Sequence, residues 1–382
     1  MNNRTVVIIG GGIIGSAIGF HLSLLNNKII IIDKGPFQES CSAHSFAWIN
    51  ASSKSPIGYH TLCRSSVNKW PSFAKQLGTE IGLNLNGTIK WENNAKGAAA
   101  ARERVETLKS WDYPIEIVDE EFIRTKDPSI KIKNMTFGQY IPNEGHVEPK
   151  RVIDACQYKI KENGGQVIND TAVTGFKTDP DTNQITSVIT AAETISCDTV
   201  VIAAGTGTQH LAGLLGIHIP LLESPGVVAW TDPQPKNLNG IIMSPAINDG
   251  TYPDNDEHSE VHIRQRVDGS YQMVNERGGI GNHHEQNDDS QEKADILLKH
   301  LTEYFPQLKS ATAIAEPVGY RPMPEDKFPV LGFDKKCNNV YISVMHSGVT
   351  LAALVGEYVA TEINYQVEIP ELKDYRPSRF KK

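Results

Sequence analysis

The stretch Thr5-Val6-Val7-Ile8-Ile9-Gly10-Gly11-Gly12-Ile13-Ile14-Gly15 decides the fold. Its first five residues are apolar or β-branched and read as a buried strand, while residues 13–25 repeat their apolar positions at helical spacing. Between them, Gly10, Gly12 and Gly15 fit the spacing G-x-G-x-x-G. Gly10 allows a tight turn, Gly12 lets a pyrophosphate approach the backbone, and Gly15 lets helix and strand pack closely. The helix start at Ile13 and Ile14 directs free N–H groups and the positive end of its dipole at the phosphates. Residues 28–32 read as a second buried strand, and Asp33 follows it, eighteen residues beyond Gly15. An acid there accepts from a ribose 2′-hydroxyl and disfavours a 2′-phosphate. Strand, glycine motif, helix, strand and acid in this order point to a bound dinucleotide, without separating FAD from NAD.

Working outward, the 382 residues exceed the roughly 100–200 of one typical domain, which predicts two domains. Hydrophobic residues make up 39% of the chain, enough to bury a core. The net charge of −8, with no basic block, argues against a nucleic-acid surface. No apolar run approaches the roughly 20 residues needed to cross a bilayer. The N-terminal apolar run is too short and wrongly flanked for a signal peptide, so the expected location is the cytoplasm. Cys41, Cys63, Cys156, Cys197 and Cys337 are scattered, with no C-x-x-C pair, and read as reduced thiols. No metal is expected: the adjacent His283 and His284 read as part of a solvated loop.

Further along, residues 98–110 and 148–163 predict helices, the second ending at Gly164-Gly165. Residues 166–169 and 175–177 predict strands, and 197–203 another buried strand ending at Ala204-Gly205. From about 220 to 316 the chain is rich in Pro, Asn, Asp and Gly, with alternating segments such as Val261-His262-Ile263-Arg264. That pattern predicts an antiparallel sheet with one exposed face. A strand over 340–344 and a helix over 349–363 close the chain. The expected division is a discontinuous nucleotide-binding domain (1–85, 140–220 and 316–382) and an inserted substrate domain (86–139 and 221–315).

In Asp198-Thr199-Val200-Val201-Ile202-Ala203-Ala204-Gly205-Thr206-Gly207 a strand ends in small residues that let the chain pass close to a nucleotide. Three further pieces stand out: Tyr140-Ile141-Pro142-Asn143-Glu144-Gly145-His146-Val147-Glu148-Pro149, Val318-Gly319-Tyr320-Arg321-Pro322, and Met345-His346-Ser347-Gly348-Val349-Thr350. Together with the N-terminal fingerprint, in this order from Val6 to about Ile363, they resemble the D-amino-acid oxidase superfamily of flavoproteins, which includes glycine oxidase, sarcosine oxidase and dimethylglycine dehydrogenase. The resemblance implies an α/β, two-domain FAD-binding Rossmann-type fold with an inserted antiparallel β-sheet substrate domain, and FAD as the cofactor.

It also implies roles. Arg321 matches the arginine that grips the substrate carboxylate, a task suited to a planar, permanently charged guanidinium. A structural salt bridge at the domain junction is the competing use. Gly348, Val349 and Thr350 match the segment that passes the flavin ring, where backbone N–H groups and the helix dipole stabilise charge at the N1–C2=O edge. Ser347 or Thr350 could equally cap that helix, and His346 could line the ring or simply pack. Residues 40–48 match the stretch that runs along the flavin, giving contacts from Cys41, Ser42 and His44. The expectation is non-covalent FAD, with a covalent link through His44 as the alternative. Lys34, Ala172, Val173, Ala204, Gly205 and Gly319 complete the implied FAD contacts. The inserted sheet offers His262, Tyr252 and Tyr271 to the substrate, together with Arg264, which shares a face with His262.

The reaction so implied is oxidation of a small amine or amino acid. A hydride leaves the α-carbon for flavin N5, and water hydrolyses the resulting imine. It needs orientation and a water-poor pocket more than an acid–base residue. The electrons pass to oxygen or another acceptor. One alternative is a flavin 2-hydroxy-acid dehydrogenase, with His262 or His346 as the base for the hydroxyl proton. Another is a non-catalytic flavin-binding subunit.

Overall fold

The structure, a computed structural model, describes residues 4–245, 260–275 and 290–380. The N-terminal unit is β1 (Thr5–Ile9), α1 (Ile13–Ser23) and β2 (Lys28–Ile32). It anchors a six-stranded sheet in the order Val330–Phe333, Val340–Val344, Thr199–Ile202, β1, β2, Gln166–Ile168. All its neighbours are parallel except the Val330–Phe333 edge strand.

The unbroken apolar runs of these strands have a simple cause: both faces of the sheet are covered. Val6, Ile8, Ile29 and Ile31 point into a core shared with α1 and the helices Ile57–Leu77, Pro149–Glu162 and Gly348–Tyr365. Val7, Ile9, Ile30 and Ile32 point the other way, toward Ile185 and Val188 of a three-stranded antiparallel sheet. At Gly10, φ is +108°, and an added Cβ would lie 2.3 Å from the Ala203 carbonyl oxygen. A Cβ on Gly15 would lie 1.9 Å from the Gly10 carbonyl oxygen. The two glycines therefore let β1, α1 and the Thr199–Ile202 strand meet at one point.

The second sheet has eight strands, in the order Ala313–Ala315, Ala229–Thr231, Tyr271–Asn275, Val261–Gln265, Ile241–Ser244, Thr88–Glu92, Phe137–Ile141, Glu116–Val118. It departs from the expected antiparallel sheet in two ways. Ile241–Ser244 pairs parallel with Thr88–Glu92. Neither face of Val261–Gln265 is open, since all five residues are buried. Ile263, Tyr271 and Met273 pack with the helix Ser290–Leu301. On the opposite face Arg264 meets polar partners, not water. Arg264 Nη1 donates to Glu148 Oε1 at 2.8 Å and lies 3.0 Å from His146 Nδ1, while its Nε donates to Gln272 Oε1 at 2.6 Å. Gln272 Nε2 donates in turn to the Ser45 carbonyl at 2.9 Å. This buried chain of bonds fastens the second sheet to the loop that follows β2. Among the described residues, no helix is long and apolar enough to cross a membrane.

Candidate active site

A cavity of about 1030 Å³ opens where the carboxyl ends of β1, β2 and Thr199–Ile202 meet the second sheet. Ligands of open α/β sheets bind at such strand ends, and the volume is at the top of the roughly 300–1,000 Å³ typical of small-molecule sites. At one end lie Gly10, Gly12, Ile13 and Ile14 of the glycine motif. Gly15 does not line the cavity; its part is the close helix–strand approach. Ser42 Oγ accepts from the Ile13 amide at 3.2 Å, tying the loop after β2 to the start of α1. Asp33 accepts hydrogen bonds from the Gly11 and Gly35 amides, one on each carboxylate oxygen, which leaves each oxygen a lone pair. Lys34, Ala172, Val173, Ala204 and Gly205 line the same region.

Toward the other end the wall is formed by Cys41, His44, Gly319, Arg321 and the start of the last helix. Burial pushes the Cys41 thiol up, and its Sγ donates to the Tyr320 carbonyl at 2.9 Å. His44 packs against Gly319, where a Cβ would lie 2.4 Å from its own. Ser347 makes no capping bond to the last helix. Thr350 does not cap it either: its hydroxyl donates to the Trp48 carbonyl at 2.9 Å and accepts from the Asn50 amide at 3.3 Å. The helix start is thereby fixed to the strand Trp48–Ile49. Buried polar atoms nearly always have partners, yet His44 Nδ1, Trp48 Nε1, His262 Nε2 and Ser343 Oγ have none, and all four residues line this cavity. A wall of donors and acceptors beside a glycine-rich phosphate cradle fits FAD.

Arg321 lines the cavity beside this wall. Its Nη1 donates to the Pro225 carbonyl at 2.8 Å. Among the described residues no carboxylate pairs with it, and burial alone pulls its pKa below the ordinary value. The competing use, a structural salt bridge, is absent among them. His346 is exposed to the open cavity; desolvation by the protein around its ring, then the charges of Lys54 and Arg321, lower its pKa. His262 packs on Phe46 and Trp48, with ring centroids at 5.8 and 5.6 Å, and its Nε2 lies 3.8 Å from Glu260 Oε2. Burial pushes the Glu260 carboxyl up, but the neighbouring His262 ring and the Lys90 ammonium outweigh it and leave it at about 2.

Two expected substrate residues do not join this group. Tyr271 is fully buried in the core on the far side of its sheet, packed toward Phe305. The alternation that turns His262 to the cavity turns Tyr271 away, since Tyr271 pairs with Gln265 and lies on the opposite parity from Val274. Arg264 shares His262's face but is held by Glu148. Tyr252 lies outside the described residues, as do His283 and His284. The sequence reading missed Phe46 and Trp48 as packing partners of His262, and Lys54 altogether. An isolated lysine among serines carries no signal of its own.

The family model described as FAD dependent oxidoreductase (DAO) matches residues 5–362. The chain is 23% identical over 366 residues to glycine oxidase of Geobacillus kaustophilus, covering 93% of this chain and 91% of that one. It is 24% identical over 388 residues to one of the opine oxidase polypeptides of Agrobacterium tumefaciens, covering 98% and 97%. In structure it is similar to L-proline dehydrogenase from P. horikoshii, with a TM-score of 0.83 and 21% identity over 99% of this chain and 98% of that one. With the glycine motif, the paired sheets and the lined cavity already in place, the match of the model over nearly the whole chain shows that this protein belongs to the DAO family of FAD-dependent oxidoreductases.

Proposed function

We propose that this protein oxidises a small amine or amino acid that carries a carboxylate, at the carbon beside the nitrogen. One observation carries this reading: the enclosed Arg321 guanidinium lines the cavity with a single backbone acceptor and, among the described residues, no acid partner. The similar proteins named above, two amino-acid enzymes and an opine oxidase polypeptide, support the same class. In this reading the α1 N-terminus and Gly12 hold the pyrophosphate of FAD, Asp33 the ribose, and the start of the Gly348–Tyr365 helix the flavin edge that gains negative charge. Val228, His262 and Val274 of the second sheet region supply the wall over the substrate end.

FAD, once bound, supplies the hydride acceptor. Arg321 holds the carboxylate through parallel hydrogen bonds and so fixes the orientation of the neighbouring C–H bond. Its charge and that of Lys54 disfavour a third cation nearby, which favours the neutral amine over the ammonium form. His346, itself neutral, adds no further positive charge beside the amine, and the proton that the ammonium gives up leaves to solvent. His262, Phe46 and Trp48 form a wall that limits water until the imine leaves and is hydrolysed. The electrons pass to oxygen or another acceptor, and FAD is held without a covalent bond, so acid precipitation releases a yellow supernatant.

Anaerobic addition of amino acids and N-alkyl amino acids to the FAD-loaded protein should bleach the flavin absorbance. A panel in which only 2-hydroxy acids bleach it, or in which nothing does, contradicts the reading.

A further inference from the structure

Arg321 is not the only cation at the cavity without an acid partner. Lys54 also lines it, half-buried, and no carboxylate pairs with it among the described residues. Of the acids along the wall, Asp33 is engaged by two backbone amides, Glu39 lies against Gly35, and Glu223 is exposed. None of them forms an ion pair with Lys54 or Arg321.

The loop that carries Lys54 is held from two sides. Fully buried Glu144 accepts from the Ala51 amide at 2.8 Å, the Ser52 amide at 2.7 Å and the Ser52 hydroxyl at 3.0 Å, and Tyr113 donates to it at 2.9 Å. From the other side, Arg104 donates to the Ser52 carbonyl at 2.8 Å and to the Lys54 carbonyl at 2.8 Å. The Lys54 amide closes a turn onto the Ala51 carbonyl at 3.0 Å. Two charged side chains are thus spent on fixing the backbone of one short loop, whose lysine stands at the cavity. Both Lys54 and Arg321 are close enough to His346 to act on it electrostatically. Holding two like charges at one cavity without counter-ions is unfavourable, and a monocarboxylate would compensate only one of them.

We propose that Lys54 is a second carboxylate-binding residue and that the substrate is an amine bearing two carboxylates, such as an N-carboxyalkyl amino acid. This rests on reading the cavity as an amine-oxidation site, and it names the substrate class of that site. A compact ammonium on a flexible stem suits this role, because it meets a carboxylate whose position varies with the length of the substrate arm, while the rigid Arg321 fork sets the register.

The test is binding, measured by titration calorimetry on the FAD-loaded protein with ligands that have no amine to oxidise. Thiodiacetate carries two carboxylates and (methylthio)acetate carries one. The wild type should bind thiodiacetate roughly tenfold more tightly, the equivalent of one additional charge pair. In Lys54→Gln the ratio should fall to within about twofold, and Lys54→Arg should restore it. Flavin content and absorbance of each variant report that the site remains loaded. A wild type with no preference, or a Lys54→Gln variant that keeps the preference, overturns the proposal. So does a Lys54→Gln variant whose only defect is loss of FAD, which would assign the lysine to the cofactor. If the preference behaves as stated but no amine bleaches the flavin, the oxidation reading fails and the dianion site stands.

Discussion

At the scale of single residues, the site turns on how Arg321 is seated. Its guanidinium lies against Gly226, where an added Cβ would be 2.6 Å from Nη2 and 2.8 Å from Cζ. The obstructed atoms are the far end of a flexible side chain, so Gly226→Ala should displace the guanidinium without unfolding the protein. We expect KM for carboxylated substrates to rise roughly tenfold while the thermal midpoint changes little; an unchanged KM would show that Arg321 is not seated on this glycine. Arg321 was legible in the sequence because Gly-Tyr-Arg-Pro arrives with four other pieces in a fixed order. Lys54 was not, because what singles it out is a loop held by Glu144 and Arg104, which come from elsewhere in the chain. Tyr271 was misplaced for a plain reason: on an alternating strand the faces are distinguishable in sequence, but which of them meets the cavity is not.

At the scale of elements, β1, α1 and β2 lay open to reading because each obeys one period and meets its neighbours at required glycines. The helix Ile57–Leu77 was harder. Its buried side chains Tyr59, Cys63, Val67, Trp70, Phe73 and Leu77 do recur at helical spacing, but Pro71 and a polar outer face interrupt the pattern. That helix and α1 together enclose His21. Its ring stacks on Phe73 with centroids 5.5 Å apart, and its Nε2 has no partner. Burial lowers its pKa to about 4, with Glu357 opposing and Lys69 adding to the shift. The folded chain therefore keeps this histidine neutral in a range where the unfolded chain, titrating near 6.5, binds a proton. Its contribution is fully present above about pH 6.5 and is lost as the pH falls toward 4. His21→Phe should remove that dependence, so that on going from about pH 7 to about pH 5 the variant loses roughly 2 kcal/mol less stability than the wild type. Urea midpoints measure it, and parallel losses in both proteins would refute the assignment.

At the scale of the whole molecule, the two sheets come from interleaved segments of chain, and what joins them was hidden in a motif that only its family likeness made conspicuous. Within residues 140–149, Glu144 braces the loop of Lys54, while His146 and Glu148 receive Arg264 from the second sheet. Neither partnership leaves a trace in local sequence, since the partners lie 93 and 116 residues away. The cavity exists because of this joint: the nucleotide cradle belongs to the first sheet, His262 to the second, and Arg321 to the segment returning between them. The central claim is that a carboxylated amine, gripped by Arg321, is oxidised in this cavity. The most direct measurement is the anaerobic rate of flavin bleaching against concentration, for an amino acid and for the same amine without its carboxylate, in the wild type and in Arg321→Ala. The account predicts that the variant's apparent Kd for the amino acid rises roughly 10- to 100-fold while that for the simple amine barely moves. Equal changes for both compounds, or no bleaching by either in the wild type, would contradict it.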